Sequence, residues 1–366
     1  MKRPLMASSA ERRIRTMLPV IRMLQAYVPL SVARRLMTQG IARARLGNDV
    51  THEAVSADGV SCQWLIPKNC PNDQALLYIH GGGFVFGLSP QHLEMVAYLA
   101  QKMGIRALVV DYRLAPDYPF PAPLDDCVTA YHWLLKQGMS AQNVVIAGDS
   151  AGGNLTITTV MRLRDSGEHL PAAAACLSPV ADLSGRDTLS RGRADPLLHP
   201  KAMRFFSTSY VARSDAGDPL ISPVFGNWLG LPPLLVHVGE DEVLYSDAVR
   251  IEELARAAGV NVRLETFPRM WHVWQLFLGL PQALQSLDDI AQFLTSHLKS
   301  CMRCVQQTQR ASVTVLRPPY TPCSADCELG HSTDRGSHEL GARLRRSSPC
   351  RLVRQGRVWG SVALLW

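Results

Sequence analysis

The chain has 366 residues, of which 47% are hydrophobic and 19% are charged. A chain of this composition can bury a sizeable core, which excludes a disordered or fibrous protein. Most of its net charge of +7 lies after residue 299, where ten Arg, no Lys and four acidic residues leave +6. The remaining net charge of +1, carried by residues 1–299, is not typical of a nucleic-acid-binding domain. No run of 18 apolar residues occurs, so integral membrane association is not expected either.

The cysteines and the N-terminus predict a cytoplasmic protein. Nine cysteines, an odd number, without a secretory signal indicate reduced thiols rather than a disulfide framework. Arg12, Arg13, Arg15 and Arg22 interrupt what would be the apolar part of a signal peptide. Residues 1–45 instead predict a helical cap segment, which either packs on the protein, the favoured alternative, or rests on a membrane surface.

Between about residues 46 and 299, apolar runs of strand length alternate with helical periodicity. Apolar strands separated by helices indicate an α/β fold with a mostly parallel sheet covered on both faces. The predicted strands are Glu53–Ser56, Ser61–Ile66, Ala75–Ile79, Ile105–Val110, Val144–Ala147, Ala172–Leu177, Leu234–Val238 and Val262–Phe267. The predicted helices are Gln91–Lys102, Leu124–Lys136, Leu155–Arg164, Ser246–Ala258 and Ala283–Leu298.

Two segments do not follow this alternation. Residues of about 183–228 mix polar, Pro and aromatic residues, and they are expected to join residues 1–45 in a cap over the strand ends. Residues 300–366 form a Cys- and Arg-rich tail that is expected to be disordered and to contribute little to catalysis. The alternative for the tail is a zinc site, since it contains the ligand types Cys301, Cys304, Cys323, Cys327 and His331.

The segment Gly148-Asp-Ser150-Ala-Gly152 matches the pattern G-x-S-x-G between a predicted strand and a predicted helix. A sharp turn there exposes the Ser150 hydroxyl at a helix N-terminus, whose dipole favours a developing negative charge. The alternatives are a glycine turn with an incidental serine, or a phosphate-binding loop. The second lacks the Lys of a P-loop and the G-x-G-x-x-G spacing. Ser150 is therefore the candidate nucleophile.

The segment His80-Gly81-Gly82-Gly83 directly follows a predicted strand. Consecutive glycines let backbone N–H groups converge without a Cβ in the way. Two such donors, with the N–H of Ala151, can stabilise the oxyanion of a tetrahedral intermediate. By itself, the motif is also consistent with a loop that needs positive φ. The serine turn that follows favours the interpretation as an oxyanion hole. His80 is then expected to organise the loop, not to act as the base.

An acid and a base are expected after the serine, in the order Ser, acid, His. His272 lies in a loop after the last predicted strand and is the candidate base. The acid is expected at the end of the strand before it, where Asp241 is our choice. Glu240, Glu242 and Asp247 are rivals, and strand alternation lets only one of Glu240 and Asp241 face the histidine.

Together these motifs resemble the hormone-sensitive-lipase-like branch of the α/β-hydrolase fold, the bacterial esterase and acetyl-hydrolase group. The resemblance covers about residues 10–298, with the motifs in order and at suitable spacing. The shared segments are His80-Gly-Gly-Gly83, Asp111-Tyr-Arg-Leu-Ala-Pro116 with Phe120-Pro-Ala-Pro123, Gly148-Asp-Ser-Ala-Gly-Gly153, Asp195-Pro196, Gly239-x-Asp241 and His272-Val-Trp-Gln275.

The resemblance implies an α/β-hydrolase fold with a helical cap, and a Ser-His-Asp triad. The family's acid often lies in the context D-P-L-x-D/E, whereas Asp241 is followed by Glu-Val-Leu-Tyr. Within the family, the chain looks most like short-chain ester and monoterpene ε-lactone hydrolases. The implied residues are Ser150 as nucleophile, His272 as base, Asp241 as acid, Gly82, Gly83 and Ala151 as the oxyanion hole, and His80 and Gly81 in support.

The expected function is that of a serine carboxylic-ester hydrolase acting on short- to medium-chain acyl esters or lactones. A small apolar substrate is the expected partner, and this chemistry requires neither a metal nor an organic cofactor. One alternative is a non-catalytic small-molecule receptor, which such folds produce by losing a triad member. Another is a serine peptidase, which the HGGG motif and the cap disfavour. The sequence leaves the formation of a homo-oligomer open.

Overall fold

A computed structural model describes residues 8–185 and 195–299. The expectations for the tail of residues 300–366, including the zinc alternative, lie outside the described residues. Within the described ranges, no helix is both long enough and apolar enough to cross a membrane.

The eight predicted strands and five predicted helices occur in the predicted order, and their ends differ from the prediction by at most four residues. The strands are β1 (Val50–Ala57), β2 (Val60–Pro67), β3 (Ala75–Ile79), β4 (Arg106–Val110), β5 (Val144–Asp149), β6 (Ala174–Leu177), β7 (Leu234–Gly239) and β8 (Val262–Phe267). The helices are α1 (Ser9–Tyr27), α2 (Leu30–Gly40), α3 (Pro90–Met103), α4 (Ala122–Lys136), α5 (Ala151–Asp165), α6 (Pro200–Val211), α7 (Tyr245–Ala257) and α8 (Pro281–His297).

The strands form one sheet in the order β1-β2-β4-β3-β5-β6-β7-β8. Strands β3 to β8 run parallel to one another, and β2 pairs antiparallel with both β1 and β4. The predicted α/β-hydrolase class, a mostly parallel sheet with helices on both faces, is confirmed. Parallel neighbours require crossover connections, and the helices between the strands provide them.

Alternate residues of the central strands face opposite apolar layers, as the two-residue period of a strand requires. In β3, Leu77 and Ile79 belong to the layer that contains buried side chains of α4, α5 and α7. Leu76 and Tyr78 belong to the layer that contains α3 and α8. Because both faces are covered, the strand is buried at every position, which explains its continuous apolar sequence.

The carboxyl ends of the parallel strands meet at one edge of the sheet, and the candidate site lies there. Ser150 follows β5 directly, and His272 lies in the segment after β8. Helix α1 packs beside this edge, where Leu18 and Ile21 share an apolar cluster with Trp271 and neighbouring side chains of the segment after β8. Helix α1 therefore packs on the protein, close to the histidine.

Candidate active site

Ser150 occupies a strained turn between β5 and α5. Its φ of 52° and ψ of −116° lie in a region that residues with a Cβ rarely adopt. The backbone is held there by a hydrogen bond of 2.8 Å from the Ser150 N–H to the carbonyl oxygen of Leu177, at the end of β6. The turn places the serine side chain at the first turn of α5.

Gly152 allows this turn to approach the neighbouring strand. A Cβ at this position would lie 2.0 Å from the carbonyl oxygen of Ile79 and 2.5 Å from that of His80. Because these are backbone atoms of a central strand end, they cannot move aside cheaply. The second glycine of the G-x-S-x-G pattern is thus required by packing, independently of any chemistry.

The side chains of Ser150, His272 and Glu242 form a continuous chain of hydrogen bonds. The Nε2 atom of His272 lies 2.9 Å from the Oγ atom of Ser150. On the other side of the ring, Nδ1 lies 2.7 Å from Oε2 of Glu242. The histidine is 5% exposed and the glutamate is completely buried. Such a chain can transfer a proton from the hydroxyl to the ring while the carboxylate holds the ring in place.

The environment favours a charged imidazole. Burial lowers the pKa of His272, but the hydrogen bond and the charge of Glu242 raise it by more, so that the pKa lies above its ordinary value of 6.5. Proton uptake by the ring during a reaction is therefore stabilised by the buried carboxylate next to it.

The expectation that Asp241 contacts His272 is wrong. The carboxylate of Asp241 is 43% exposed and points to α1, where its Oδ2 atom lies 2.7 Å from Nη2 of Arg15. The strand β7 ends at Gly239, so the alternation of side chains along a strand no longer applies two residues later. The backbone N–H of Asp241 instead donates to the carbonyl oxygen of Met270, which turns the chain and brings the next side chain inward.

Ser178 holds the inward carboxylate of Glu242, a role that its local sequence did not predict. The Ser178 hydroxyl donates to Oε1 of Glu242 at 2.8 Å and accepts the N–H of Val273 at 3.1 Å. The N–H of Gly239 also donates to Oε1, at 2.6 Å. Both carboxylate oxygens of Glu242 thus have hydrogen-bond partners, and Ser178 joins Glu242 to the histidine segment. The one sequence signal for a role at the site was the position of Ser178 directly after β6, at the carboxyl edge of the sheet.

The other rivals for the acid lie elsewhere. Asp247 accepts the backbone N–H of Ala181 at 2.6 Å and that of Asp182 at 3.1 Å, so it supports the loop after β6. Glu240 is exposed, and its backbone N–H donates to the carbonyl oxygen of Phe267 at the end of β8. One signal in the sequence did favour Glu242: Leu244 stands two residues after it, as Leu follows the acid in the D-P-L pattern.

The glycines after β3 face the same pocket as the serine. Gly82 and Gly83 have φ values of 109° and 61°, and both line the pocket together with Ser150 and Ala151. In the described part of the chain, no protein acceptor binds the N–H of Gly82 or Gly83. Ala151 is the first residue of α5, where the N–H has no partner within the helix. The three N–H groups therefore belong to the wall nearest the serine.

His80 is enclosed behind this loop and does not reach the serine. Its Nδ1 lies 2.6 Å from the carbonyl oxygen of Gly81, and its ring stacks on Tyr112 with 4.4 Å between centroids. Burial and the neighbouring His92 lower the pKa of His80 to about 3. A neutral, fully buried ring in this position holds the backbone of the glycine loop.

Asp149 connects the glycine loop to the serine turn, a role that the sequence did not reveal. One carboxylate oxygen accepts the N–H of Gly81 at 3.0 Å and the hydroxyl of Tyr78 at 2.8 Å. The other oxygen lies 3.3 Å from Nε2 of His92. Burial raises the pKa of Asp149, but His92 and these hydrogen bonds outweigh it, so the pKa is lowered below its ordinary value.

The pocket above the serine has a volume of about 170 Å³ and opens beside the cap helices. Gln25 of α1 and Ser207 of α6 contribute polar groups, while most of the wall is apolar. A pocket of this kind suits a small apolar molecule with one polar group near the serine. The apolar side chains in the wall include those of Ile21, Leu198, Met203, Phe206, Leu244 and Phe277.

Comparisons with known proteins agree with this architecture. Residues 76–276 match a family described as having the alpha/beta hydrolase fold. The chain is 38% identical to an acetyl-hydrolase of Streptomyces hygroscopicus over 245 residues, which are 66% of this chain and 82% of the relative. It is 35% identical to the putative acetyl-hydrolase LipR of Mycobacterium tuberculosis over 289 residues, 78% of this chain and 94% of the relative. A solved esterase from the bacterial hormone-sensitive lipase family superposes with a TM-score of 0.75 at 36% identity, covering 80% of this chain and all of that one.

Proposed function

The chain belongs to the hormone-sensitive-lipase-like branch of the α/β-hydrolases, and on that premise we propose that it is a serine carboxylic-ester hydrolase. The observation that carries the proposal is the hydrogen-bonded chain Ser150–His272–Glu242, which opens on an apolar pocket. The names of the relatives, acetyl-hydrolases and esterases, support the same reaction class.

In the first step, the Oγ atom of Ser150 attacks the ester carbonyl while Nε2 of His272 takes the hydroxyl proton. The tetrahedral intermediate carries a negative oxygen, which the N–H groups of Gly82, Gly83 and Ala151 stabilise. Collapse of this intermediate breaks the bond to the alcohol, whose oxygen receives the proton from His272. Water then attacks the acyl-enzyme by the same route and releases the acid.

Glu242 acts through the histidine. Its carboxylate accepts the Nδ1–H of His272, which keeps the lone pair of Nε2 directed at the serine. It also stabilises the imidazolium that forms when the ring takes the proton. This role was expected of Asp241. We assign it to Glu242 because its carboxylate lies within hydrogen-bond distance of the ring, whereas the carboxylate of Asp241 pairs with Arg15.

The pocket supports a preference for short- to medium-chain acyl esters, with lactones as cyclic substrates. Its volume of about 170 Å³ and its apolar wall suit a small acyl or terpenoid group. No step of the proposed route uses a metal or an organic cofactor. Fastest turnover on long-chain triacylglycerol emulsions would contradict this substrate class.

The cysteines support the expected cytoplasmic location, which stays a prediction. Cys62, Cys70, Cys127 and Cys176 are all free thiols, and three of them are buried. Burial raises the pKa of Cys62 to about 12, so this thiol is protonated and unreactive at neutral pH. Free thiols of this kind are typical of a reducing compartment.

Labelling with a fluorophosphonate, combined with turnover of p-nitrophenyl esters of graded chain length, tests the proposal. We expect one label per chain, and we expect Ser150→Ala to abolish labelling and to reduce turnover by roughly 10⁴-fold or more. The matched control is Ser207→Ala, which removes a hydroxyl from the same pocket and should label normally. No labelling of the wild-type chain would favour a non-catalytic receptor, and faster cleavage of peptide amides than of esters would favour a peptidase.

A further inference from the structure

The solvent-facing side of α1 carries a continuous apolar stripe. Val20, Met23 and Tyr27 are 52%, 50% and 61% exposed, and their spacing of three and four residues places them on one face of the helix. Val32 and Leu36, four residues apart on α2, are also exposed. Single exposed apolar residues are ordinary, but three on one face of α1, with two more exposed on the next helix, mark an interaction surface.

The opposite side of α1 faces the catalytic domain. Leu18 and Ile21 are buried, and Ile21 and Gln25 line the pocket above the serine. The helix is therefore apolar on two sides, although packing on the protein requires only one. The thickness of a single helix, about 10 Å, separates the exposed stripe from the substrate pocket.

The cap helices also carry an unusual charge. Residues 8–45 contain eight Arg and a single acidic residue, Glu11, which is buried. Residues 46–299 contain 18 Lys and Arg against 26 Asp and Glu, a net charge of −8. The net charge of the chain before the tail is therefore near zero because the positive charge of the cap offsets the negative charge of the catalytic domain.

These arginines have two distinct positions. Arg15 and Arg34 are bound to the catalytic domain through Asp241 and Asp117. Others are exposed on the outside of the cap, and among them Arg13 and Arg35 lie on the two helices that carry the exposed apolar side chains.

The surface continues onto α6. The ammonium group of Lys201 lies 4.6 Å from the centre of the Tyr27 ring, which brings the start of α6 beside the end of α1. Phe205, one turn further along α6, is 42% exposed. The stripe therefore ends in an aromatic and cationic group, a combination that suits the boundary between water and lipid headgroups.

We propose that this outer cap surface, formed by Val20, Met23, Tyr27, Val32 and Leu36 with the exposed arginines beside them, docks on an anionic lipid bilayer. Apolar side chains enter the headgroup boundary while arginines bind the acidic headgroups, which is the chemistry of an interfacial helix. Two other occupants are disfavoured by charge. The segment after residue 299 carries +6, and a second copy that met this one cap to cap would present the same basic surface.

Docking in this orientation places the pocket wall beside the membrane. An apolar ester concentrates in the bilayer, so the pocket would lie one helix away from its source. This consequence rests on the proposed function, whereas docking itself does not. The two are distinguishable, because vesicle binding is measured without turnover and fluorophosphonate labelling without vesicles.

Cosedimentation of the full-length chain with vesicles tests the proposal. We expect binding to phosphatidylcholine vesicles that contain phosphatidylglycerol, and little binding to phosphatidylcholine alone. The triple variant Val20→Ser, Met23→Ser, Tyr27→Ser should bind the anionic vesicles about tenfold more weakly. A second variant, Arg13→Gln with Arg35→Gln, should also bind more weakly, and its remaining binding should depend less on salt.

Matched changes in the catalytic domain are the controls. Leu229→Ser removes the most exposed apolar side chain in the described residues, beside the far end of α5, and should leave vesicle binding unchanged. Lys136→Gln with Arg256→Gln removes two positive charges there and should also have little effect. Turnover of a water-soluble ester should be the same in all these variants, which confirms that they fold.

Three results would overturn the proposal. The first is no binding of the wild-type chain to anionic vesicles. The second is unchanged binding of both cap variants, which would assign membrane contact to another part of the chain. The third is self-association of the wild-type chain that the triple variant removes while vesicle binding persists, which would make the surface a contact between copies.

Discussion

Arg15 in α1 and Asp241 after β7 form an ion pair, with 2.7 Å between Nη2 and Oδ2. The same guanidinium donates to the carbonyl oxygen of Arg269 and lies over the ring of Trp271, 5.4 Å from its centre. One turn earlier, the buried carboxylate of Glu11 accepts Nη2 of Arg269 at 2.8 Å. The cap helix is thereby bound to both segments that carry the proposed acid and base.

The identity of the acid is the first prediction. We expect Glu242→Gln to reduce kcat by roughly 10³- to 10⁴-fold, because an amide cannot stabilise the imidazolium. Asp241→Asn should change kcat by less than about threefold, since its carboxylate is half-exposed and pairs with Arg15 rather than with the histidine. Steady-state rates on a short p-nitrophenyl ester measure both effects. The reverse ranking would return the acid role to Asp241.

The pH dependence follows from the environment of the histidine. The base must be neutral to accept a proton, so kcat/KM should rise with pH through the pKa of His272, above 6.5. Burial lowers this pKa and Glu242 raises it by more. In Glu242→Gln the main raising influence is lost, so the acidic limb should move to lower pH, while in Asp241→Asn it should stay in place. An acidic limb that is unchanged in Glu242→Gln would mean that another group titrates.

The ion pair between Arg15 and Asp241 should affect substrate binding more than chemistry. We expect Arg15→Met to raise KM severalfold and to leave kcat within about twofold, because α1 supplies the pocket wall and the half-exposed ion pair is individually weak. Arg256→Gln, which breaks an exposed ion pair on α7, is the control and should change neither constant. A loss of kcat comparable to that of Glu242→Gln would instead place Arg15 in the chemical step.

Asp149 should hold the backbone of the glycine loop in its observed conformation. Asp149→Ala leaves the buried hydroxyl of Tyr78 and the N–H of Gly81 without their acceptor, at a cost of about 1–3 kcal/mol for each. We expect a lower unfolding temperature and a fall in kcat that exceeds any rise in KM, because the loop carries the proposed oxyanion donors. Asp149→Asn keeps one acceptor oxygen and should be milder on both measures. Equal effects of the two variants would mean that the charge itself is needed, not the hydrogen bonds to the loop.

The placement of the serine and the histidine could be predicted from local sequence. Ser150 lies between a buried strand and a helix, and its neighbouring glycines permit the tight turn that joins them. His272 follows the last strand of the parallel sheet, so it had to lie at the same edge. The positions of the central strands could be predicted equally well, because a strand covered on both faces is buried throughout and requires an uninterrupted apolar run.

The sequence alone determined the fold class, the strand and helix order and two members of the hydrogen-bonded chain, since each depends on patterns within one segment. Only the tertiary structure decided among the consecutive carboxylates Glu240, Asp241 and Glu242. Their directions depend on contacts with distant segments: the ion pair with Arg15 draws one outward, and the hydroxyl of Ser178 holds another inward. The apolar outer surface of the cap could not be predicted from the sequence either. A helix with two apolar sides can bury either of them, and only the position of its packing partner decides which side stays exposed.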